Sequence, residues 1–513
     1  LRGEKMSVKK CFGLCMVCLF VLMTTGKGLA EDWSRKYPIK KDISGPYSYD
    51  SISKKDYKGI TLNIITHVKP VIGEPTEVHA RQFEELTGAK IIVKHVPFGK
   101  LYQEIMLGLR KGKYDVLVST TLWLADMYSY LEPLPQKMLD SDQFKDVIQY
   151  YKDLSRRGDS YYFVPIDGDR HYMQYRRDLL ENPSWQSEFK SRYHKPLEAP
   201  KTWIDLMEIS EFFNNKDLGN GKTVYGMAEI TKKDDLLYSH FIKRAAPYAK
   251  HPDVKGGFYF DLKTMKPLIN NPGFVEALEN FIKMHKFYPP GGENWGLWDI
   301  IQSFGKGQVV FSDSWDDAFI QAMEPESGIR NQVAAGISPG ARKVWNRDTG
   351  KWNDFPDVNY APYIASGWTS SVAKSSQHKE AAFDFLGFFG NEANHASDLL
   401  IGRYGVNPFR YSDLDKNFWT TFAGWDENVA FSYIQTFSNI NKNKNKLFDL
   451  RIHLAGLYMN ALNTGVARAL TGRATAQEAL DGVAREWEKL NKRVGIDKQR
   501  EVYANLVRLE DNE

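Results

Sequence analysis

Between Phe83 and Val118 the hydrophobic period switches repeatedly, and each switch falls on a residue that starts or stops an element. Pro75 and Thr76 open a helix that runs through Phe83-Glu84-Glu85-Leu86-Thr87 and ends at Gly88 in the C′ position. Ile91 to Val93 then forms a short β-branched run, which predicts a buried strand. Leu101, Ile105 and Leu109 recur every four residues, one face of a helix extending from Leu101 to Lys111. After a turn at Gly112 the apolar run Val116 to Val118 predicts a second buried strand. Strand, helix and strand in this order require a crossover with parallel pairing, so the unit is βαβ and the class α/β. A further strand is expected just before it, at Ile60 to Ile65.

At 513 residues the chain exceeds the usual size of one domain, and two large lobes are expected. Met6 reads as the start of a secreted precursor. Lys9 and Lys10 form its positive region, Cys11 to Met23 its apolar stretch, and Gly28-Leu29-Ala30 its small-residue cleavage site. That stretch is too short to span a bilayer, which favours a removable leader over residues 1–30. All three cysteines, Cys11, Cys15 and Cys18, fall inside it, leaving residues 31–513 without thiols for disulfides, metal ligation or nucleophilic catalysis. Neither Cys15 nor Cys18 follows the residues a lipid-modified cysteine needs, so a soluble periplasmic protein is expected. Taking five basic and one acidic residue with the leader leaves 63 of each sign, so the formal charge of the rest is zero. A chain without net positive charge has no field to draw in nucleic acid, and that class drops out.

Residues 31–57 lack any period and contain Pro38, Gly45 and Pro46, which suggests an extension strapped over the surface. Trp203 to Phe213 after Thr202, and Gly273 to His285 after Pro272, are helical. Val309-Val310-Phe311 is a short strand, and Glu380 to Phe389 is an apolar-faced helix. Asn439 to Lys446 alternates Asn with Lys and predicts an exposed loop. Thr475-Ala476-Gln477-Glu478 is a capping box, followed by a helix carrying Ala479, Leu480, Val483, Trp487 and Leu490.

Three enzyme signatures fail on their own chemistry. Gly336-Ile337-Ser338-Pro339-Gly340 fits the G-x-S-x-G spacing, but the residue after the nucleophile must lend a backbone N–H to the oxyanion, and Pro339 has none. Gly221-Lys222-Thr223 lacks the glycine of a phosphate loop five residues earlier, where Lys216 stands, and reads as a turn. No H-E-x-x-H occurs and the 11 histidines are scattered, so no metal site and no cofactor are expected. Asp167 with Asp169, and Asp313 with Asp316 and Asp317, could pair as in glycoside hydrolases, cap local structure, or accept ligand hydroxyls. Hydroxyl recognition is the favoured functional role, because an ionised carboxylate accepts several O–H donors. Trp123, Trp295, Trp298, Trp315, Trp368 and Trp425 stand in loop-like contexts and could stack on the C–H face of a sugar ring. Ligands of open α/β sheets bind beyond the carboxyl ends of strands, where His67, Ser119 to Trp123 and Asp313 to Trp315 fall.

The wording of "FEELTG" and, further on, "YDVLVS" resembles the first lobe of the family 1 extracellular solute-binding proteins, the maltose-binding-protein-like group of ABC importers. Leu470-Thr471-Gly472 followed by Thr475 to Leu480 is similar to that family's C-terminal helix, so the resemblance covers about residues 58 to 495. It implies a two-lobe α/β fold of the type II periplasmic-binding-protein kind, each lobe a mainly parallel sheet flanked by helices, with a ligand cleft between. Tyr161 to Asp178 looks like the passage from the first lobe to the second, and Tyr360 to Val372 like the last passage. Lobe 1 is then expected to be 58–165 with 308–362, and lobe 2 to be 166–307 with 363–513.

The same resemblance adds emphasis to particular residues as ligand contacts. These are His67 and Glu74 in the loop after the first strand, Ser119, Thr120 and Trp123 after a later one, and Asp167, Asp169 and Tyr172 at the first passage. Asp313 and Trp315 join them, with Gly367-Trp368 at the last passage and Arg403-Tyr404 before Asn407-Pro408, while Trp298 and Asp316 are expected contacts on the aromatic and carboxylate chemistry above. The implied function is capture of a carbohydrate or polyol by a monomer that closes around it and hands it to the inner-membrane permease, without catalysis. A peptide, an amino acid or a phosphorylated polyol on the same fold is the alternative, for which Arg170, Arg176 and Arg403 leave room, and a secreted glycoside hydrolase the more remote one. The extension and the long segment from Ser412 to Leu450 depart from the commoner members.

Overall fold

Leu62, Ile64 and Ile65 of the strand Thr61–His67 are buried, and this strand anchors a five-stranded sheet. The computed structural model describes residues 44–512 except 220, 234 and 366, so the expected leader and the first part of the extension lie outside the described residues. Thr61–His67 pairs in parallel with Lys90–Val96 on one side and Val116–Thr120 on the other. The two strands of the βαβ unit are therefore parallel but separated by an earlier strand. Lys90–Val96 is the sheet edge rather than a buried run, and Ile92 is 46% exposed. Edge position explains this, since only one face of such a strand packs on helices. Its helices are Gly73–Thr87, ended by Gly88 in the left-handed region, and Phe98–Arg110, which buries Leu101, Ile105 and Leu109.

Trp368–Val372 and Val164–Pro165 complete this sheet with antiparallel pairings. The second sheet runs Val333–Gly336, Tyr172–Arg176, Val309–Ser314, Thr223–Ala228, Lys216–Asp217. Only Val309–Ser314 with Thr223–Ala228 is parallel there, so the parallel character expected of both lobes is concentrated in the first. Trp203–Phe213, Pro272–Met284 and Ala476–Val494 cover the second lobe, the first and last opened by capping boxes at Thr202 and Thr475.

The sheets divide the chain differently from the expected boundaries. Val309–Ser314 lies between two second-lobe strands, so it and the following Val333–Gly336 are in lobe 2, not lobe 1. Conversely, Trp368–Val372 bonds to Val116–Thr120, and Lys379–Phe389 packs on Gly73–Thr87, so the chain beyond 363 first returns to lobe 1. It leaves again through Asn407, making three crossings. A strand buried on both faces looks alike in either sheet, so its apolar pattern carries no information on which sheet holds it.

Two other segments differ. Residues 439–442 are the last turn of the helix Glu427–Lys442, whose Val429, Tyr433, Phe437 and Ile440 are buried. Lys446 is buried with its ammonium donating to the carbonyls of Asn441 and Asn443 at 2.9 and 2.8 Å. The Asn–Lys alternation masks an amphipathic helix that ends in a lysine-capped turn. The described part of the extension forms a short helix, Tyr49–Ser53, capped by Ser48 and packed on lobe 1. Beside it Tyr47 lies so close to Gly387 that a Cβ there would come within 2.2 Å of its ring.

Candidate ligand cleft

A cavity of about 300 Å³ lies between the two sheets and is lined from both lobes. His67 ends the strand Thr61–His67 and Thr120 ends Val116–Thr120, while Trp368 begins the antiparallel strand paired with Thr120. All three thus reach the same sheet edge. His67 and Trp368 stack with ring centroids 5.4 Å apart and planes 14° from parallel, and Phe98 meets Trp368 edge-on at 5.9 Å. Opposite them the second lobe contributes Trp315 and Asp317, just beyond Val309–Ser314, together with Trp298 and Ile301 from the helix Leu297–Gly305. Trp298 is 44% exposed and so free to meet a ligand.

Aspartates dominate the polar lining of the cleft. Asp169, Asp235, Asp317 and Asp449 line it, with Lys69 the one ammonium among the described lining residues. Burial pushes Asp169 well above the usual carboxylate range, with Asp167 and Asp317 adding to the rise, and burial raises Asp317 likewise, with Asp167 and Asp316 beside it. Burial lowers His67, whose Nδ1 lies 3.2 Å from the Val96 carbonyl.

Of the residues expected to contact ligand, His67, Thr120, Asp169, Trp298, Trp315, Gly367 and Trp368 line this cavity. The others are not in its lining, and each has visible work elsewhere. Asp167 is buried and ties the crossings together: its carboxylate accepts from the backbone N–H of Gly168 at 2.8 Å, Asn407 at 2.7 Å and Trp368 at 3.1 Å. Asp313 is buried 2.9 Å from the Lys243 ammonium and accepts the Ser338 hydroxyl at 3.0 Å. Ser338, the serine of the G-x-S-x-G spacing, is thereby committed to a structural bond. Asp316 pairs with the buried Arg170 and accepts the Tyr433 hydroxyl. Burial pushes Asp316 up to about 6 despite Arg170.

Glu74 forms an ion pair with Arg403, and the Tyr404 carbonyl accepts the Ile72 N–H at 2.7 Å. Ser119 is buried, its carbonyl accepting the Thr369 hydroxyl at 3.2 Å. Trp123 packs against Phe98 and Tyr102 at 5.7 and 5.5 Å, and Tyr172 lies in the second-lobe core against Phe319 and Tyr433. Side chains alternate along a strand, so a residue beside a cleft-lining one faces the core. Trp425 is also core, its ring tilted against Trp419 with centroids 4.5 Å apart.

Sequence reasoning passed over Phe98, Asp235, Tyr238, Leu297, Ile301 and Asp449, all in the lining. Helical spacing offered a trace of Leu297 and Ile301, but Asp449 sits in the segment that departs from the familiar pattern and carries no motif. Among the described residues no cluster of His, Cys, Asp or Glu is arranged to hold a metal ion, and no helix is long and apolar enough to cross a membrane.

Two α/β lobes joined by three crossings, with a cleft lined from both of them, define a two-lobe solute receptor. The chain belongs to the bacterial extracellular solute-binding protein family, which it matches over residues 79–422. Its fold is similar to that of maltose-bound MalE3 of T. maritima, with 19% identity, coverage of 84% of this chain and 100% of that one, and a TM-score of 0.65. An ABC transporter solute-binding protein from Agrobacterium radiobacter K84 in complex with ribitol is similar too, at 18% identity, 85% and 100% coverage, and a TM-score of 0.65. So is one from Agrobacterium vitis S4 with bound D-mannitol, at 16% identity, 85% and 99% coverage, and a TM-score of 0.64.

Proposed function

We propose that this protein is the periplasmic receptor of an ABC importer, taking one neutral carbohydrate or polyol into the cleft and delivering it to the membrane permease. The observation that carries the reading is the pairing of an aromatic wall, His67 with Trp368, with Asp169 and Asp317 in the same cavity. A sugar or polyol presents a C–H surface that packs on aromatic rings and hydroxyls that hydrogen-bond to carboxyl groups, and this cleft offers partners for both. Maltose, ribitol and D-mannitol in the similar structures point the same way.

A ligand touching both walls favours the closed arrangement by its differential affinity, which makes closure the signal the permease reads. The three arginines that left room for an anionic ligand are engaged elsewhere: Arg170 with Asp316, Arg176 with Asp178 and Arg403 with Glu74. None of them lines the cleft. No catalytic step is assigned to the cleft carboxylates.

Calorimetric titration of the protein with a panel of neutral sugars and polyols, alongside solution scattering, tests the reading. One saturable site with a smaller radius of gyration on binding is expected. Absence of both across the panel rejects the carbohydrate and polyol assignment.

A further inference from the structure

A second cavity, of about 490 Å³, lies behind the cleft and is basic where the cleft is acidic. Arg156, Arg157, Arg451 and Arg508 line it, against the carboxylates of Asp153 and Asp159. The arginines come from three separate parts of the chain. Arg156 and Arg157 stand on the small hairpin that precedes the first crossing, Arg451 follows the second-lobe strand Leu447–Phe448, and Arg508 projects from the C-terminal helix Ile496–Asn512. The cavity shares a wall with the cleft, since Thr120 and Leu122 line the cleft whereas Thr121 and Leu124 line the space behind it.

Each guanidinium has partners within the protein, including those of Arg156 and Arg508, which reach the solvent-exposed rim. Arg157 lies 4.3 Å over the Tyr128 ring and 3.4 Å from Glu501, and Arg156 is 3.9 Å from Asp153. Arg508 donates to Asn505 Oδ1 at 3.0 Å and to the Ala504 carbonyl at 3.3 Å. Arg451 donates to the carbonyls of Thr121, at 3.2 Å, and Leu154, while its Nε–H is buried with no hydrogen-bond partner among the described residues. Burial pulls Arg451 down to about 10, still far above neutrality, so it is charged at any physiological pH. A buried guanidinium N–H left unpaired costs free energy, and the four arginines of the lining outnumber its two aspartates, which leaves an excess of positive charge for an anion to answer. Planar guanidinium forks match the oxygens of phosphate and related anions, and a recess of this size admits such a group.

We propose that this basic cavity is a second ligand site, distinct from the cleft, that takes a phosphate-class oxyanion. Arg451 forms its floor, and Arg156, Arg157 and Arg508 close around the anion from the two sides. The site does not depend on what the cleft binds.

The test is calorimetric titration of the full chain with inorganic pyrophosphate in a chloride buffer, with ionic strength held constant. Saturable binding of one pyrophosphate is expected, weakened at least tenfold in a double variant Arg156→Gln with Arg508→Gln. Both side chains are solvent-exposed, so thermal unfolding of that variant is expected to match the parent. Arg451→Lys, which keeps charge but loses the fork, is expected to weaken binding as well. A parallel sedimentation assay with phosphatidylglycerol vesicles separates the two sources of such an anion: arginine-dependent binding to vesicles but not to pyrophosphate identifies a lipid headgroup as the occupant. Absence of saturable binding in both assays, or equal affinity in parent and double variant, overturns the proposal.

Discussion

Asp167 Oδ1 accepts the backbone N–H of Asn407 at 2.7 Å, joining the first crossing between the lobes to the third. Its other oxygen accepts the N–H of Trp368 at 3.1 Å and so holds the second. One buried carboxylate therefore fixes the relative position of all three crossings. Asp167→Ala leaves these N–H groups without their acceptor, at about 1–3 kcal/mol for each that stays dry. A loss of about 3 kcal/mol or more in chemical denaturation is expected, and a loss below about 1 kcal/mol would show the knot to be dispensable.

Close approach at the same place sets a second expectation. Gly367 has φ of 62°, and a Cβ there would lie 2.6 Å from the Asp167 carbonyl oxygen. Neither the conformation nor the space suits an L side chain. Gly367→Ala is expected to cost about 1–3 kcal/mol and to weaken ligand binding through displacement of Trp368. An unchanged denaturation midpoint together with unchanged affinity would refute this.

The indole of Trp368 is the aromatic surface that the reading of the cleft depends on most. Trp368→Ala is predicted to lower the affinity for whichever neutral sugar or polyol binds by at least tenfold, about 1.4 kcal/mol. Thermal unfolding of the unliganded protein should change far less than in Gly367→Ala. If calorimetry finds parent and variant equal in affinity, the ligand does not lie against this wall.

Asp313 leads to the opposite expectation from Trp368, although the sequence placed both at the ligand. Its carboxylate lies 2.9 Å from Lys243, which also stands 3.4 Å from Glu229, and all three side chains are buried. Removing one member of a buried charged set strands the others, so Asp313→Ala is expected to destabilise the fold by about 3–5 kcal/mol. Affinity measured on the folded fraction should be unaltered, and a selective loss of binding without loss of stability would return Asp313 to the ligand site.

What the sequence disclosed follows from which interactions are local. The period of Leu101, Ile105 and Leu109 and the stop at Gly88 report on neighbours along the chain, and both appear in the structure. Sheet membership is not local: Val309–Ser314 and Val116–Thr120 are both fully buried strands that open on three apolar residues, and only pairing across the fold assigns them to different lobes. The cleft shows the same divide. Strand ends pointed to His67 and Thr120, but the chemistry of an aspartate looks alike in Asp167, which holds backbone, and Asp169, which lines the cavity. Asp449 arrives from the far end of the chain, beyond the reach of any local pattern.

A pH dependence away from the cleft follows from His79, buried with Nε2 2.9 Å from Asp398 Oδ2 and Nδ1 2.8 Å from Gln82 Oε1. Burial, the largest single influence, would lower its pKa, but the charge and hydrogen bond of Asp398 together with the Gln82 hydrogen bond outweigh burial and hold the pKa above the ordinary imidazole value. A histidine raised in the fold binds its proton more tightly there than in the unfolded chain. Its contribution is therefore fully present below about pH 6.5 and is lost as pH rises through the raised value. In Asp398→Asn the carboxylate is gone and burial prevails, so protonation opposes folding instead. Chemical denaturation from pH 5.5 to 9 is expected to show the variant less stable by about 3 kcal/mol at the acid end, with the gap narrowing toward pH 9. A gap that stays constant over this range would mean that His79 is neutral throughout and that the pair is held by a hydrogen bond alone.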